Sequence, residues 1–142
     1  MQRFEYAVSV IQTEGRYTVR CRDLPQLKAT SDDMASSIGL AEERIECTFS
    51  DYMLAGKELP TPSKPVEGEH LVTPTAETTA KAALHAAMRD TGITKVQLAR
   101  RLDVDEKEVR LMLDPHYKSK LSKISRSIAV LGRRLVIRME LN

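Results

Sequence analysis

The chain has 142 residues, of which 42% are hydrophobic and 30% are charged, and its net charge is +2. This composition is typical of a globular protein and excludes wholesale disorder or a fibre. The length fits one ordinary domain or two small ones. The sequence contains four Tyr, two Phe and no Trp. Its core must therefore be built mainly from aliphatic side chains and alanine.

Neither the start of the chain nor its interior predicts a membrane or redox role. The start lacks the apolar run of a signal peptide, and no stretch of about 18 apolar residues occurs. We therefore expect a cytoplasmic protein with no membrane partner. Cys21 and Cys47 have neither the spacing of a zinc site nor that of a Cys-x-x-Cys redox centre. We expect both to be buried, reduced packing residues.

Charge is divided unevenly along the chain. Residues 1–74 contain 8 Lys/Arg and 12 Asp/Glu, a net charge of −4, whereas residues 75–142 contain 14 and 8, a net charge of +6. DNA phosphates attract a basic surface and repel an acidic one. The division indicates two surfaces with different partners, although two solvated surfaces that differ by chance would give the same pattern.

Hydrophobic alternation predicts an antiparallel hairpin at the start of the chain. Residues 4–10 and 16–22 both alternate between apolar and polar side chains, and Thr13-Glu14-Gly15 forms the turn between them. Pro25 ends the second strand because proline donates no ladder hydrogen bond. A short third strand is expected at residues 27–30.

A long helix is expected next, capped by Ser31 or Asp32, running to about Leu54 and ended by Gly56. Its apolar side chains recur every three or four residues: Met34, Ile38, Ala41, Ile45, Phe49 and Tyr52. Its opposite face carries Glu42, Glu43, Glu46 and Asp51. The proline-rich stretch at about 57–74 predicts a loop or linker, interrupted by one candidate strand at 70–73.

The rest of the chain predicts four helices and a strand. An alanine-rich helix covers residues 75–91, helices capped by Thr94 and Asp105 reach 102 and 113, and a fourth covers 121–131. Residues 134–141 alternate as a strand does. The predicted fold class is α+β, with a β-β-β-α-β domain over residues 1–74 and an all-α domain with a carboxy-terminal strand over 75–142.

Residues 94–113 have the pattern of two helices joined by a short turn. Ala99 is small where the helices would cross. Apolar side chains that can form their shared core are Leu98, Leu102, Val104, Val109 and Met112. The segment resembles the helix-turn-helix of Cro and phage repressors, whose second helix enters the DNA major groove. Asp103 stands where that family usually has a glycine, and Asp tolerates the left-handed conformation better than most residues.

This resemblance implies which side chains contact DNA. Lys and Arg donate to guanine and Glu can accept from cytosine, so the base-edge candidates are Glu106, Lys107 and Arg110. Flanking donors would contact phosphates, which fixes orientation without reading sequence; these are Lys95, Gln97, Arg100, Lys118 and Lys120. The alternative interpretation is an ordinary solvated face of a four-helix domain.

The last strand suggests how two modules would pair. One helix-turn-helix contacts few base pairs, so specific binding normally needs two of them. A strand at 134–141 could pair with the same strand of a second chain, giving a homodimer or higher oligomer, or with the amino-terminal sheet of its own chain. The candidate dimer residues are Leu135, Ile137, Met139 and Leu141.

Nearly the full length resembles the HicB antitoxins. The resemblance rests on the opening hairpin, Asp23-Leu24-Pro25, Thr30 leading into a helix, Asp51-Tyr52 near its end, and residues 59–63, Leu-Pro-Thr-Pro-Ser. It implies a partial ribonuclease-H-like first domain that binds HicA, a small RNA-cleaving toxin, and a second domain that represses the shared operon. Many members of the family have a glycine in the acidic turn between strand and helix. Residues 29–33 of this chain contain no glycine.

Toxin binding would follow from charge. A toxin that grips RNA presents a basic surface, which an acidic partner can occupy. The candidate toxin-binding residues are Asp23, Asp32, Asp33, Glu42, Glu43 and Glu46. A helix that simply needs a solvated face would carry the same acids.

Catalysis is not expected, and neither is a cofactor. Asp23, Glu46 and Asp51 are the nearest set of acids and carry no supporting motif, while His70, His85 and His116 are too scattered for a metal site. The alternative function is a one-component repressor whose first domain senses a small ligand. Only the partner of the first half separates the two interpretations.

Overall fold

The structure, a computed structural model, describes residues 2–141. The chain divides into two compact units, one up to Thr75 and one from Ala76 onward. The first unit contains β1 (Tyr6–Thr13), β2 (Arg16–Cys21), β3 (Lys28–Ser31), α1 (Met34–Ala55) and β4 (His70–Val72). The second contains α2 (Ala76–Thr91), α3 (Lys95–Leu102), α4 (Glu106–Leu113) and α5 (Leu121–Val130). The predicted α+β class is confirmed.

The first unit is an antiparallel sheet with α1 packed on it. The strand order is β3-β2-β1-β4, and β1 pairs with both β2 and β4. In β1, the consecutive residues Tyr6, Ala7 and Val8 are all buried. The ring of Phe49 on α1 makes edge contacts with Tyr6 at 5.9 Å and with Phe4 at 6.3 Å between centroids. Aromatic and aliphatic side chains between helix and sheet thus form this core.

The start of α1 differs from the prediction. Asp33, rather than Ser31 or Asp32, caps the helix, because its carboxylate accepts a 2.8 Å hydrogen bond from the backbone N–H of Ser36. Met34, predicted to face the core, is 41% exposed. The buried position at this end belongs to Ser37, whose hydroxyl donates to the carbonyl of Tyr17 in β2.

The two cysteines lie in different environments. Cys21 is buried and Cys47 is exposed, and neither forms a disulfide. Burial of Cys47 was therefore wrongly predicted. Ile45 and Phe49 face the sheet, and Cys47, two residues along a helix from each of them, points to the opposite side.

The core of the second unit joins all four helices. Its fully buried members include Leu84, Leu98, Val109 and Ile124. Thr94 caps α3 with a reciprocal pair of hydrogen bonds to Gln97. Between α3 and α4, Asp103 adopts the left-handed conformation at φ 54°. Asp at this position therefore provides the turn geometry for which glycine is usual.

The predicted carboxy-terminal strand does not form in the single chain. Residues 133–141 form no strand, because no strand of the helical unit lies beside them to complete a ladder. Leu135 packs against the helical core, whereas Ile137 is 65% exposed and Met139 and Leu141 are almost fully exposed. Among the described residues, no helix combines the length and apolar character needed to cross a membrane.

Candidate functional site

An open acidic groove lies beside α1 in the first unit. Its volume is about 780 Å³. It is lined by Ser36, Gly39, Leu40, Glu42, Glu43, Glu46, Thr73, Pro74 and Thr75. Glu42 and Glu43 are exposed, and Glu46 is half-buried and accepts a hydrogen bond from the backbone N–H of Thr75. Half of the predicted toxin-binding acids, all from α1, thus line one surface; we call it the acidic groove.

Asp23 lies outside the acidic groove. Its carboxylate accepts hydrogen bonds from the Ser63 backbone N–H at 2.8 Å and the Ser63 hydroxyl at 2.6 Å. Its neighbour Arg22 donates to the Lys64 carbonyl at 2.7 Å and to Glu69 at 2.8 Å. These contacts join the proline-rich segment 57–69 to the end of β2 and the residues directly after it. Asp23 therefore stabilises the fold of the first unit.

The hydrogen bonds of Asp23 change its acidity. Partial burial by itself raises the pKa of the carboxyl, but the two hydrogen bonds from Ser63 and the charge of Arg22 outweigh it, so the net pKa is lowered. Ser63 is thus a functional partner that sequence spacing does not reveal, because forty residues separate it from Asp23.

The remaining two acids also lie outside the acidic groove. Asp33 is engaged as the cap of α1, and hydrogen bonds from the backbone and then the side chain of Ser36 lower its pKa. Asp32 is exposed. The six predicted acids therefore divide into three that line the groove, two that hold local structure and one exposed carboxylate beside the cap.

The predicted DNA-contacting cations of the second unit are all exposed. On α4, Lys107 is exposed and Arg110 forms a 3.4 Å ion pair with Glu106, one turn earlier. The flanking cations that are exposed are Lys95, Arg100, Lys118 and Lys120. Gln97 differs, because its side-chain oxygen accepts a hydrogen bond from the Thr94 backbone N–H at 2.9 Å. That amide helps to cap α3 and keeps only its NH₂ group for another partner.

Three polar residues of α2 contact the last turn of α4 and the loop that follows it. Glu77, Lys81 and His85 recur every fourth residue and so lie along one side of the helix; we call them the α2 polar stripe. Lys81 is only 1% exposed. They are absent from the predicted site residues, because alanine and leucine spacing dominates the pattern of α2. Their own fourfold spacing is the signal that points to them.

Lys81 makes the largest number of these contacts. Its ammonium donates to the backbone carbonyls of Leu111 at 3.3 Å, of Asp114 at 2.6 Å and of Tyr117. Burial lowers the pKa of Lys81, while the carboxylates of Glu77 and Asp114 oppose that shift. One buried ammonium thus joins the last turn of α4 to the loop behind it.

The other two members of the stripe hold neighbouring backbone groups. His85 Nε2 lies 2.8 Å from the Leu113 carbonyl oxygen, and burial lowers the pKa of this imidazole. The neutral ring can donate that hydrogen bond from Nε2. Glu77 accepts a 2.8 Å hydrogen bond from the Ser119 backbone N–H. The stripe therefore contacts the backbone from residue 111 to residue 119.

Comparison with known proteins gives the class of this chain. A family model described as "HicB_like antitoxin of bacterial toxin-antitoxin system" matches residues 4–83. An Antitoxin HicB of Pseudomonas fluorescens is 29% identical over 96% of this chain and 94% of its own length. An Antitoxin HicB of Escherichia coli is 24% identical over 89% and 91%, respectively. The class is therefore that of bacterial antitoxins, which pair with a toxin. Within it, this chain belongs to the HicB-like family.

Replacing Asp23 with Asn tests its intramolecular role. The folded pKa is lowered, so the stabilisation is complete above the unfolded pKa and is lost as the pH falls through the folded pKa. We expect Asp23→Asn to lower the free energy of unfolding at neutral pH by about 1 kcal/mol, a value reduced for partial exposure. The difference from wild type should disappear in acid. Urea titrations at both pH values, followed by circular dichroism, measure it.

Asp32→Asn is the matched control, because it removes a charge from an exposed carboxylate. This variant should unfold at the wild-type urea concentration. Equal stability of Asp23→Asn and Asp32→Asn at neutral pH would contradict the assigned role of Asp23.

Proposed function

We propose that the first unit neutralises a small HicA-type RNA-cleaving toxin and that the second unit represses the chain's own operon by binding operator DNA. The observation that carries the proposal is the separation of charge in a HicB-like antitoxin. Acids line a groove in one unit, while exposed cations lie on and around α4 in the other. The proposed site of action is the cytoplasm, which holds both the operator and the RNA targets of such a toxin.

The acidic groove suits a cationic protein partner. Glu42, Glu43 and Glu46 stand within five residues of one helix, and Gly39 lines the groove beside them. An RNA-cleaving toxin needs cations to hold phosphates, and those cations are attracted to clustered carboxylates. Leu40 supplies apolar surface in the same groove. We propose that a basic toxin surface binds here, on a first unit that is a partial ribonuclease-H-like domain.

Helices α3 and α4 suit a helix-turn-helix. The predicted shared core is present, since four of its five residues are buried and Val104 is partly buried against them. The ion pair between Glu106 and Arg110 is exposed, and such pairs contribute only about 0 to 1 kcal/mol. Arg110 can therefore exchange its carboxylate partner for a base edge or a phosphate at little cost. We propose that α4 is the helix that enters the major groove.

The exposed end of the chain suits pairing with a second copy. Single exposed apolar residues are ordinary, but Val136, Ile137, Met139 and Leu141 expose apolar surface within six consecutive positions. A strand that lacks a partner within its own unit gains a complete ladder when two copies pair about a two-fold axis. We propose that residues 134–141 become a strand in a homodimer, which also supplies two DNA-binding modules.

The proposal includes neither catalysis nor a cofactor. Clustered carboxylates serve metal-dependent cleavage only when several converge on one ion. Within the described residues, no three His, Cys, Asp or Glu side chains form such a group. Asp23, one of the three acids considered for catalysis, accepts two hydrogen bonds from Ser63. We propose that binding alone carries both activities.

Substitution of two cations on α4 tests the DNA-binding half. Lys107→Ala combined with Arg110→Ala should weaken operator binding by at least about 30-fold, because each lost contact to a base or phosphate costs about 1 to 3 kcal/mol. Toxin binding should be unchanged. Gel-shift titrations with a duplex from the chain's own promoter, and toxin pull-downs, measure the two activities.

The charge-matched control replaces Arg16 and Arg20, two exposed cations of the first unit, with Ala. This control should bind the promoter duplex as wild type does. Loss of both activities in the α4 variant would contradict separate binding units.

Charge reversal in the acidic groove tests the toxin-binding half. Glu42→Lys combined with Glu43→Lys should abolish co-purification of a co-expressed HicA-type toxin, because like charges would then oppose each other across the contact. Promoter binding should persist. The control, Glu58→Lys with Glu67→Lys, reverses two exposed carboxylates outside the groove and should retain the toxin. Retention of the toxin by the groove variant would exclude this surface.

Single substitutions in the exposed end test the dimer. Ile137 and Val136 are similarly exposed, at 65% and 61%, but alternation places them on opposite faces of the proposed strand. Ile137→Asp should lower the oligomeric mass measured by light scattering and weaken promoter binding, whereas Val136→Asp should change both less. Equal effects of the two substitutions, or no effect of either, would contradict pairing through this strand.

A further inference from the structure

The α2 polar stripe holds a segment that the proposed function needs in a fixed position. Lys81, His85 and Glu77 together hydrogen-bond to backbone groups from Leu111 to Ser119. This segment begins in the last turn of α4 and includes the loop that leads to α5. Lys118 and Lys120, two predicted phosphate contacts, stand in or directly after it.

The backbone there requires such partners. The last carbonyls of a helix have no partner within the helix, and they mark its negative end. A cation placed there satisfies the carbonyls and is attracted to the negative end. Lys81 does so from a buried position, beyond the reach of bulk water. Removing its ammonium would take one donor from each of three carbonyls. The carbonyls of Leu111 and Asp114 would keep a backbone N–H, from Asp114 and Tyr117 respectively, so the largest loss would fall on the Tyr117 carbonyl in the loop.

Hydrogen bonds fix a direction, which apolar contacts do not. The apolar core between α2 and α4 is non-directional, so it tolerates small rotations of α4. The ammonium of Lys81 contacts one carbonyl in the last turn of α4, that of Leu111, and two in the loop after it, while His85 contacts a second carbonyl of that turn, that of Leu113. These directional bonds restrain the end of α4 and its loop relative to α2. The aromatic ring of Tyr117, 6.0 Å from the same ammonium, adds a further contact from the loop.

We propose that Lys81, supported by His85 and Glu77, is a positioning residue for operator recognition: it sets the angle at which α4 enters the major groove and places Lys118 and Lys120 against the phosphates. The inference rests on the proposed binding of operator DNA by the second unit. It assigns to α2, which carries none of the predicted DNA contacts, control over the specificity of α4.

Positioning and stability make different predictions about DNA. Non-specific binding depends on the number of exposed cations, and Lys81 contributes none at the surface. A misdirected α4 would lose base contacts but keep this electrostatic attraction. The ratio of promoter binding to binding of unrelated DNA therefore reports positioning. Partial unfolding would reduce both affinities in the same proportion and leave the ratio unchanged.

The experiment uses the full chain and two duplexes of equal length, one from the promoter region of its own gene and one of unrelated sequence. Lys81→Met keeps an unbranched side chain and removes the donors. At a temperature where circular dichroism shows a folded chain, we expect promoter affinity to fall at least tenfold, about 1.4 kcal/mol. Affinity for the unrelated duplex should change less than about twofold. Lys81→Arg, which retains cationic donors, should weaken promoter binding less than Lys81→Met.

Ile128→Ala is the matched control, because it opens a cavity in the same core without removing a hydrogen bond of the stripe. It should lower the melting temperature and leave the ratio of the two affinities at the wild-type value. If a folded Lys81→Met keeps the wild-type ratio of promoter affinity to unrelated-DNA affinity, the inference about Lys81 is overturned and the proposed DNA-binding function is not. A wild-type chain without preference for its promoter overturns the proposed DNA-binding function, and the inference with it.

His85→Leu covers the case in which Lys81→Met fails to fold. It removes the donor to the Leu113 carbonyl and leaves Lys81 in place. A smaller fall in promoter preference is expected, with unrelated DNA bound as before. An unchanged preference in a folded His85→Leu overturns the inference.

Discussion

Each unit is small, and this limits the apolar surface that it can bury. About half of 142 residues falls to each, and a domain of roughly this size buries only about 60% of the surface its unfolded chain exposes. Both units therefore add polar anchors to a modest core. In the first, Asp23 and Arg22 hold the segment 57–69. In the second, Lys81 holds the end of α4 and the loop behind it.

These anchors separate charges that maintain the structure from charges that are free to bind. Asp23 and Asp33 are engaged in short hydrogen bonds within the chain, and Gln97 completes a helix cap. Using any of them for a partner would first break a bond that the fold needs. Glu42, Glu43 and Lys107 are exposed to solvent, where a partner displaces only water and weak ion pairs. Partner binding is therefore expected from the second group.

The same distinction explains which sequence predictions were accurate. The caps Thr94 and Asp105 are local, because the side chain reaches backbone groups two or three residues away, and both helices begin as predicted. Several neighbouring residues before α1 have side chains that could cap it, so the sequence did not identify the cap. The helix begins at Met34, which makes Asp33 the cap. Ser63 and Lys81 were not identified, because their partners lie about 30 to 40 residues away. Residues 134–141 alternate as a strand does, but a strand also needs a neighbour.

By itself, the sequence determined the order of the helices and of the first four strands and the opposite charge of the two halves, because periodicity, capping and composition depend on near neighbours along the chain. Its motifs also carried the resemblance to the HicB antitoxins. Only the tertiary structure decided which acids line a groove and which hold a loop, because that depends on what each carboxylate meets in space. It also placed a lysine among the buried residues of α2. A buried ammonium is stable only where several acceptors converge, and the carbonyls around Lys81 come together through folding alone.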